Sequence, residues 1–400
     1  MKLLFVHGGE KVKEDLNGNL YTGGSYNQEV WDRYLSIFES VTAIFRKEFK
    51  KYKPDYAKKK FHFFNGNLLN FIEIPDLSTS YKSSLNVKKV RDTHQIIEEA
   101  ILNHDFLIAR LPSNAGTIAI KYAEKHNKPY LAEVVGCPWD AYWHHSIKGK
   151  VVAPFMWVKT RNAVKNAPFV FYVTNEFLQR RYPSKGKTIG CSDVALLSFN
   201  NKVLEKRLNK IQDMRRDKPV ILGTTAVVNM RYKGQEYVIA AISKLINEGY
   251  NFEYHLAGAG DNSFLKSIAE KYGISDKVKF LGSLPHEKVF EYLDEIDIYV
   301  QPSKTEGLPR ALVEAMSRGC PSIGFNAGGI PELLNKKFIS RKGSVEDLYN
   351  LLKTISEKTT LLGEAKRSFE KAKEFDKKLL DDKRITFYKE FLKCGEKIND

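Results

Sequence analysis

Thr305-Glu306-Gly307-Leu308-Pro309-Arg310-Ala311-Leu312-Val313-Glu314-Ala315-Met316 lies between two short apolar runs, Ile298–Gln301 and Pro321–Phe325, and the whole reads as strand, loop, helix, strand. Proline suits the first turn of a helix because its missing N–H has no intrahelical partner there, so a helix is expected over Pro309–Arg318. The amides around Gly307 and Leu308 then lie at the positive helix end, which favours anions such as phosphate. Glu306 stands just before that end and Glu314 about one and a half turns inside the helix, spaced to hold opposite ends of one polyhydroxylated ligand. A nucleotide-sugar fits this pattern. Two solvated acids at a helix terminus are the plain alternative.

Outward from this stretch the same alternation repeats. After a charged helix around 202–216, strands are expected at Pro219–Gly223, Phe252–Ala257 and Val278–Gly282, with helices at Gly234–Glu248, Phe264–Tyr272 and Glu287–Ile296 between and after them. The first half uses the same grammar. Its strands are expected at Lys2–His7, Val41–Phe45, Phe61–Phe64, Asp105–Leu111, Pro129–Val135 and Phe169–Val173, with helices at Tyr26–Phe38 and Ala115–His126. Strands alternating with helices predict an α/β fold of two doubly wound parallel sheets. Ligands of such sheets bind at the carboxyl ends of the strands, where Gly223, Gly258, Gly282 and the Glu306 loop fall. The domain expectation is 1–200 and 201–377, with successive charged helices after Ser344 and a last helix at about 378–400.

Composition narrows the function classes. Four hundred residues with 42% hydrophobic content suffice for two cores. Cys137, Cys191, Cys320 and Cys394 form no C-x-x-C pair, which argues against a disulfide framework or a zinc site and for a reducing compartment. The apolar run Leu3–Val6 is too short for a signal peptide and no later run approaches a membrane span, so a cytoplasmic protein is expected. The net charge of +16 is uneven, with 29 Lys/Arg against 19 Asp/Glu in residues 1–200 and 35 against 29 in residues 201–400. Within 45–64, Arg46, Lys47, Lys50, Lys51, Lys53 and Lys58–Lys60 intermingle with seven aromatic residues, Phe45 and Phe64 at the ends. That mixture suits an anionic membrane surface at the inner face, or is a solvated charged face. No nucleic-acid module accompanies it, and nucleic acid is not expected as a partner.

Several further groups carry chemistry. Arg231-Tyr232-Lys233-Gly234 places two cations beside a helix start, where a diphosphate needs neutralising. Gly258-Ala259-Gly260 is either a close backbone approach or an ordinary turn. Glu133 to His145 puts a carboxylate, aromatic rings and imidazoles just past a strand, with Asp140 and His144 as leading candidates and His145 as the rival of His144; either is equally a packing residue. Arg110, before the N-capped helix at Ser113, and the loop Gly23-Gly24 are candidate sites for an acceptor phosphate. No spacing supports a metal site, a nucleophile elbow or a Walker lysine.

Taken together, Glu306-Gly307-Leu308-Pro309 with Glu314, Gly319-Cys320-Pro321 and Gly328-Gly329-Ile330-Pro331-Glu332 resemble the E-x(7)-E block and glycine turn of retaining glycosyltransferases of family 4. Val135-Gly136-Cys137-Pro138-Trp139-Asp140 resembles a stretch of its polysaccharide-assembling members, those of capsule, exopolysaccharide and O-antigen. The resemblance covers almost the whole chain and implies a GT-B fold, two Rossmann-like domains facing across a cleft, with the last helix packing back on the first domain. It implies metal-independent transfer of a sugar, with retention, from a nucleotide-sugar, most often a UDP-sugar, to a lipid-linked or glycan acceptor. Glu306 and the amides of Gly307 and Leu308 would hold the sugar and phosphates, Glu314 the ribose, Lys233 the diphosphate, and Leu284 would sit beside the base. The family has arginine directly after the first strand's glycine. Thr224 stands there in this chain, and Arg231 is a candidate substitute for that arginine, a solvated arginine being the alternative. A GT-B phosphorylase, a sugar-nucleotide epimerase and a non-catalytic glycan- or nucleotide-binding protein are the alternatives.

Overall fold

The computed structural model describes every residue except 25, 65, 67, 78–85, 145, 198 and 400, with side chains up to residue 395. The chain divides into two compact units. The first comprises Met1–Pro138, Phe155–Cys191 and Asp382–Asp400, and the second Trp139–Pro154 and Ser192–Asp381.

In the first unit the described residues contain nine strands, β1 (Lys2–Asp15), β2 (Leu20–Thr22), β3 (Ser40–Tyr52), β4 (His62–Phe63), β5 (Leu69–Glu73), β6 (Phe106–Leu111), β7 (Tyr130–Val134), β8 (Phe169–Tyr172) and β9 (Lys187–Gly190). A parallel path runs β5-β3-β1-β6-β7-β8-β9, while β2 pairs antiparallel with β1 and β4 antiparallel with β2. Leu3 to Val6 are fully buried between β3 and β6, as the centre of a parallel sheet covered on both faces requires.

Three expectations change here. Strands β1 and β3 continue to Asp15 and Tyr52, past the predicted ends at His7 and Phe45, because their polar halves pair with each other after a register shift between Val6 and Lys11. Glu14 bridges Lys47 at 2.9 Å and Lys51 at 3.2 Å across the two strands, so charge pairing replaces apolar alternation there. The helix expected over Tyr26–Phe38 is Gln28–Leu35, because the Asn27 side chain caps it by accepting from the Val30 N–H.

The second unit carries β10 (Val220–Thr225), β11 (Phe252–Ala257), β12 (Val278–Gly282), β13 (Ile298–Gln301), β14 (Ser322–Phe325) and β15 (Ile339–Ser340). Their order, β12-β11-β10-β13-β14-β15 with every pair parallel, is that of a doubly wound dinucleotide-type sheet. The order reverses between β10 and β13. Open sheets of this kind bind ligands at that reversal, beyond the carboxyl ends of the strands. The helix Gln235–Asn247 returns from β10 and buries Val238, Ile239, Ala241, Ile242 and Leu245, the spacing of one helical face. The helix after β13 spans Arg310–Ser317, one residue inside the predicted bounds at each end, because Pro309 is extended (ψ 109°) and serves as its N-cap.

Beyond β15 the chain is helical, at Val345–Ile355, Lys358–Ala372 and Lys377–Asn399. From Asp382 onward this last helix belongs to the first unit, where the Tyr388 hydroxyl donates to Glu133 at 2.7 Å. Phe387 and Phe391 pack on Phe169, and Phe391 also on Phe106.

Candidate functional site

The reversal point of the second sheet is where the two most informative side chains meet. Lys233 sits on the loop after β10 and Glu306 on the loop after β13, and Lys233 Nζ donates to Glu306 Oε1 at 2.6 Å. Both side chains keep some access to solvent, 19% and 15%. Gln301, the last residue of β13, donates from Nε2 to the same carboxylate at 3.2 Å and to Ser303 Oγ at 2.9 Å, and its own oxygen accepts from the Tyr299 hydroxyl at 3.1 Å. Glu306 is therefore aimed from two sides, by a charge and by a buried amide.

The loop carrying Glu306 is held from behind. Gly329 donates its N–H to Gly307 O at 2.7 Å, and a Cβ on Gly328 would lie 2.0 Å from Glu306 O. Only glycine permits that approach, and Gly328 also has φ +56°. Gly258 serves a similar end: its Cβ would lie 1.8 Å from Ala226 O, so the close approach is between the loops after β10 and β11. Its N–H donates to Gly282 O at 2.8 Å, which ties in β12. The predicted strand-end loops are thus linked to one another along this edge.

Glu314 is buried, and burial raises its pKa, opposed by Arg310 and His286. His286 Nε2 lies 3.4 Å from Glu314 Oε1, and Leu284 is half-buried two residues earlier. Arg231 does not join the Lys233–Glu306 pair but stacks its guanidinium 3.5 Å from the Phe264 ring centroid. Beside it Glu236 is half-buried, its pKa raised by burial, with Lys304 Nζ at 3.8 Å. Burial and the field of Lys342 depress the His144 imidazole, Asp140 opposes them, and Lys304 and Lys150 lower it further. His144 N–H donates to Asp140 O at 3.1 Å, and Asp140 is buried. His145 lies outside the described residues.

In the first unit the strand order reverses between β1 and β6, beside His7 and Arg110. Arg110 pairs with Glu133 Oε2 at 2.9 Å, and Glu133 Oε1 accepts from the Tyr34 hydroxyl at 2.8 Å. His7 Nδ1 lies 2.7 Å from the Tyr26 hydroxyl, and burial, with Arg110 and Arg46 adding, lowers its pKa to about 3. Ser113 Oγ accepts from Gly8 N–H at 2.8 Å and from Gly116 N–H at 3.0 Å, joining the end of the buried part of β1 to the helix start. The Gly23-Gly24 loop reaches this cluster through Tyr26, whose N–H donates to Gly23 O at 3.2 Å, while Gly23 N–H donates to Glu10 Oε1 at 3.1 Å and Gly24 has φ +47°.

Sequence reasoning missed Gln301, His286, Glu236 and His7. A glutamine ending the apolar run Ile298-Tyr299-Val300 was itself a signal, because a polar side chain in a buried strand must find partners.

The basic-aromatic stretch 45–64 is partly internal. Phe45 and Phe64 are buried, and Arg46 is committed to Asp76 at 2.9 Å. Tyr52 stacks on Tyr56, while Phe49 is 89% exposed. No helix among the described residues is long and apolar enough to cross a membrane.

The family pattern of the group 1 glycosyl transferases matches residues 206–375, inside the second unit. Over 356 residues the chain is 36% identical to Protein CapJ of Staphylococcus aureus, which covers 88% of this chain and 85% of that protein. Among solved structures, sucrose-phosphate synthase of Thermosynechococcus elongatus superposes with a TM-score of 0.64 at 16% identity, covering 98% of this chain and 100% of that one. HepE of Anabaena, in complex with UDP, gives 0.63 at 16% identity with the same coverage. These two likenesses are of fold, the GT-B arrangement of two parallel-sheet α/β domains. The similarity to CapJ over most of both chains carries the assignment further: the chain belongs to the group 1 glycosyl transferases.

Proposed function

We propose that the protein transfers a sugar, with retention of configuration, from a UDP-sugar to a lipid-linked or glycan acceptor during assembly of a cell-surface polysaccharide. The observation that carries this is the Lys233–Glu306 pair at the reversal point of the second sheet, beside the amides of Gly307 and Leu308 before the helix Arg310–Ser317. The diphosphate of the donor draws the Lys233 ammonium, and the released Glu306 carboxylate accepts a sugar hydroxyl while Gln301 keeps it aimed. Glu314, short of water in its buried position, takes its hydrogen bonds from the ribose.

In the reaction the bond from the anomeric carbon to the diphosphate breaks, and a bond to the acceptor oxygen forms on the same face. The acceptor proton passes to the departing phosphate. Negative charge on that phosphate is met by Lys233 and the helix-end amides, so no metal ion is required. Asp140 and His144 belong to the sugar side of this reading, with the His144 pKa lowered by burial and nearby lysines. Arg110 and the Gly23-Gly24 loop belong to the acceptor side. The enzyme works at the inner face of the membrane, and the exposed part of 45–64 meets anionic lipid.

The support from relatives is consistent. HepE of Anabaena has been solved with UDP and with UDP-glucose, and AmsK of Erwinia amylovora is an amylovoran biosynthesis glycosyltransferase. The test is release of UDP and GDP from a panel of nucleotide-sugars, with and without a polyprenyl-diphosphate-linked sugar. Acceptor-dependent UDP release that drops about 100-fold or more in Lys233→Met is expected, the usual loss when one donor to a developing anion is removed. Phosphate-dependent turnover without acceptor, or binding of donor without nucleotide release, would overturn the proposal.

A further inference from the structure

The first sheet has its own reversal point, between β1 and β6, and an open sheet takes its ligand at such a point. His7, Gly9, Tyr26 and Arg110 gather beside it, all within the first unit. Val6 pairs with Ile44 of β3 and Lys11 with Arg46, so His7 to Glu10 stand opposite Phe45 alone and leave the ladder. Irregularities of this kind re-aim side chains beside functional sites.

The His7 ring is fixed at one nitrogen and unpartnered at the other. Nδ1 lies 2.7 Å from the Tyr26 hydroxyl, whereas Nε2 meets no hydrogen-bonding group of the described residues. Tyr26 is itself held in place, stacked on the buried Trp31 with ring centroids 5.6 Å apart. A Cβ on Gly9 would lie 2.7 Å from both Nε2 and Cε1 of His7. Glycine therefore leaves room for an atom of a ligand at that edge of the ring, and Gly9 is exposed to solvent.

The charges around this edge are balanced within the protein. Arg110 pairs with Glu133 at 2.9 Å and Arg46 with Asp76 at 2.9 Å, and Arg46 also donates to Gly9 O at 2.8 Å. Burial and these two guanidinium groups keep the imidazole neutral down to about pH 3. A neutral ring nitrogen exchanges one hydrogen bond with a hydroxyl, as donor or acceptor according to its tautomer, and offers a phosphate no charge. We infer that the Nε2 edge of His7, framed by Gly9, holds a hydroxyl of the acceptor sugar and so positions a saccharide rather than the phosphate of its carrier. The inference rests on the reading that the first unit binds the acceptor, and it adds to that side a positioning residue that selects for a sugar.

Calorimetric binding and steady-state UDP release at neutral pH test it, with a panel of polyprenyl-diphosphate-linked sugars and with the sugar-free polyprenyl diphosphate. His7→Phe keeps a ring but removes both nitrogens. It should weaken binding of the sugar-linked compound and raise its KM by about 3- to 10-fold, the loss of one neutral hydrogen bond. Gly9→Ala should do the same through the displaced ring. Its melting temperature should match wild type, because Gly9 is exposed and is not among the positive-φ glycines. Both variants should keep the wild-type UDP affinity, donor KM and binding of the sugar-free diphosphate. If His7→Phe melts early, Gly9→Ala decides. An equal loss with the sugar-free diphosphate would assign the edge to phosphate, and sugar-linked binding unchanged in Gly9→Ala would leave His7 a packing residue; either result overturns the inference. Binding that depends on His7 and Gly9 but is followed by no UDP release would uphold the inference and sink the transfer reading. Wild type that binds neither compound would overturn both.

Discussion

Replacing Gly328 by alanine perturbs the proposed sugar-side carboxylate without touching its side chain. The added Cβ would lie 2.0 Å from Glu306 O and 2.7 Å from its carbonyl carbon, both backbone atoms that cannot rotate away. Real Cβ contacts essentially never fall under 3.0 Å, so the Glu306 loop must retreat by at least 1.0 Å. The Lys233–Glu306 bond of 2.6 Å and the Gln301 bond of 3.2 Å have no room for such a shift, and the carboxylate loses its aim. A displacement of about 1 Å in a positioning group costs on the order of 100-fold in rate, or about 2.7 kcal/mol of transition-state stabilisation. Stability should fall too, by about 1 kcal/mol for the left-handed backbone and about 1–3 kcal/mol for the overpacking. Gly273→Ala separates the two effects. Gly273 has φ +68° and nothing within 4 Å of its Cβ position, so only the backbone cost applies. Initial rates of acceptor-dependent UDP release and urea denaturation read both quantities. If Gly328→Ala turns over donor as fast as Gly273→Ala, the glycine does not set the position of Glu306 and the reasoning fails.

The two glutamates of the helix-start motif should separate kinetically. Glu314→Gln should raise the donor KM by roughly tenfold with kcat nearly unchanged, whereas Glu306→Gln should lower kcat as well; equal behaviour in steady-state assays would refute the division of roles. His7 supplies a pH dependence of stability. Its imidazole stays neutral in the fold down to about 3, while the unfolded chain takes a proton below 6.5, so stability is full above pH 6.5 and falls as pH drops toward 3. The residue as a whole is half-buried, so at pH 5 the loss is at most about 2 kcal/mol, and His7→Gln should flatten the denaturation midpoint between pH 7 and 5. An unchanged slope would show that some other group carries it. Arg110→Met should destabilise by about 3–5 kcal/mol, because it strands the carboxylate of Glu133, which is 1% exposed. Adding Glu133→Gln should recover much of that loss in thermal melts, and a double variant no better than the single would count against the pair.

What the sequence disclosed follows from which signals survive in one dimension. Strands Phe252–Ala257, Val278–Gly282 and Ile298–Gln301 have the predicted bounds because each is an apolar run closed by a turn residue or a polar one. Lys11 to Asp15 and Arg46 to Tyr52 gave no such signal, since these strand halves are stabilised by ion pairs with each other rather than by alternation. Strands Leu69–Glu73 and Lys187–Gly190 were hidden for a related reason: each is short, mostly exposed or half-buried, and defined by its partner at a sheet edge. In the candidate site, Lys233 and Glu306 were legible because charge stands in loops beside helix starts, and Glu314 because it is a carboxylate inside the helix that follows Glu306. Gln301 was not, because its side chain acts on Glu306 through space, and Gly328 was legible only as part of a glycine turn, with no sign of its close approach to the Glu306 backbone.

The same distinction explains why the first unit was read less well than the second. Both sheets reverse order beside their first strand, at β1 and β6 in one and at β10 and β13 in the other. In the second sheet the two strands end there, and the loops that follow carry Lys233 and Glu306, a pair whose opposite charges leave a mark in the sequence. In the first sheet β1 does not end but bends and runs on, so His7 sits inside a strand with no loop to advertise it. Arg110, at the end of β6, is paired by Glu133 from β7, whose other oxygen accepts from Tyr388 of the C-terminal helix. A donor half assembled from consecutive strand-loop-helix units is therefore legible locally. A first half whose reversal point is completed by residue 388 is legible only once the chain has folded.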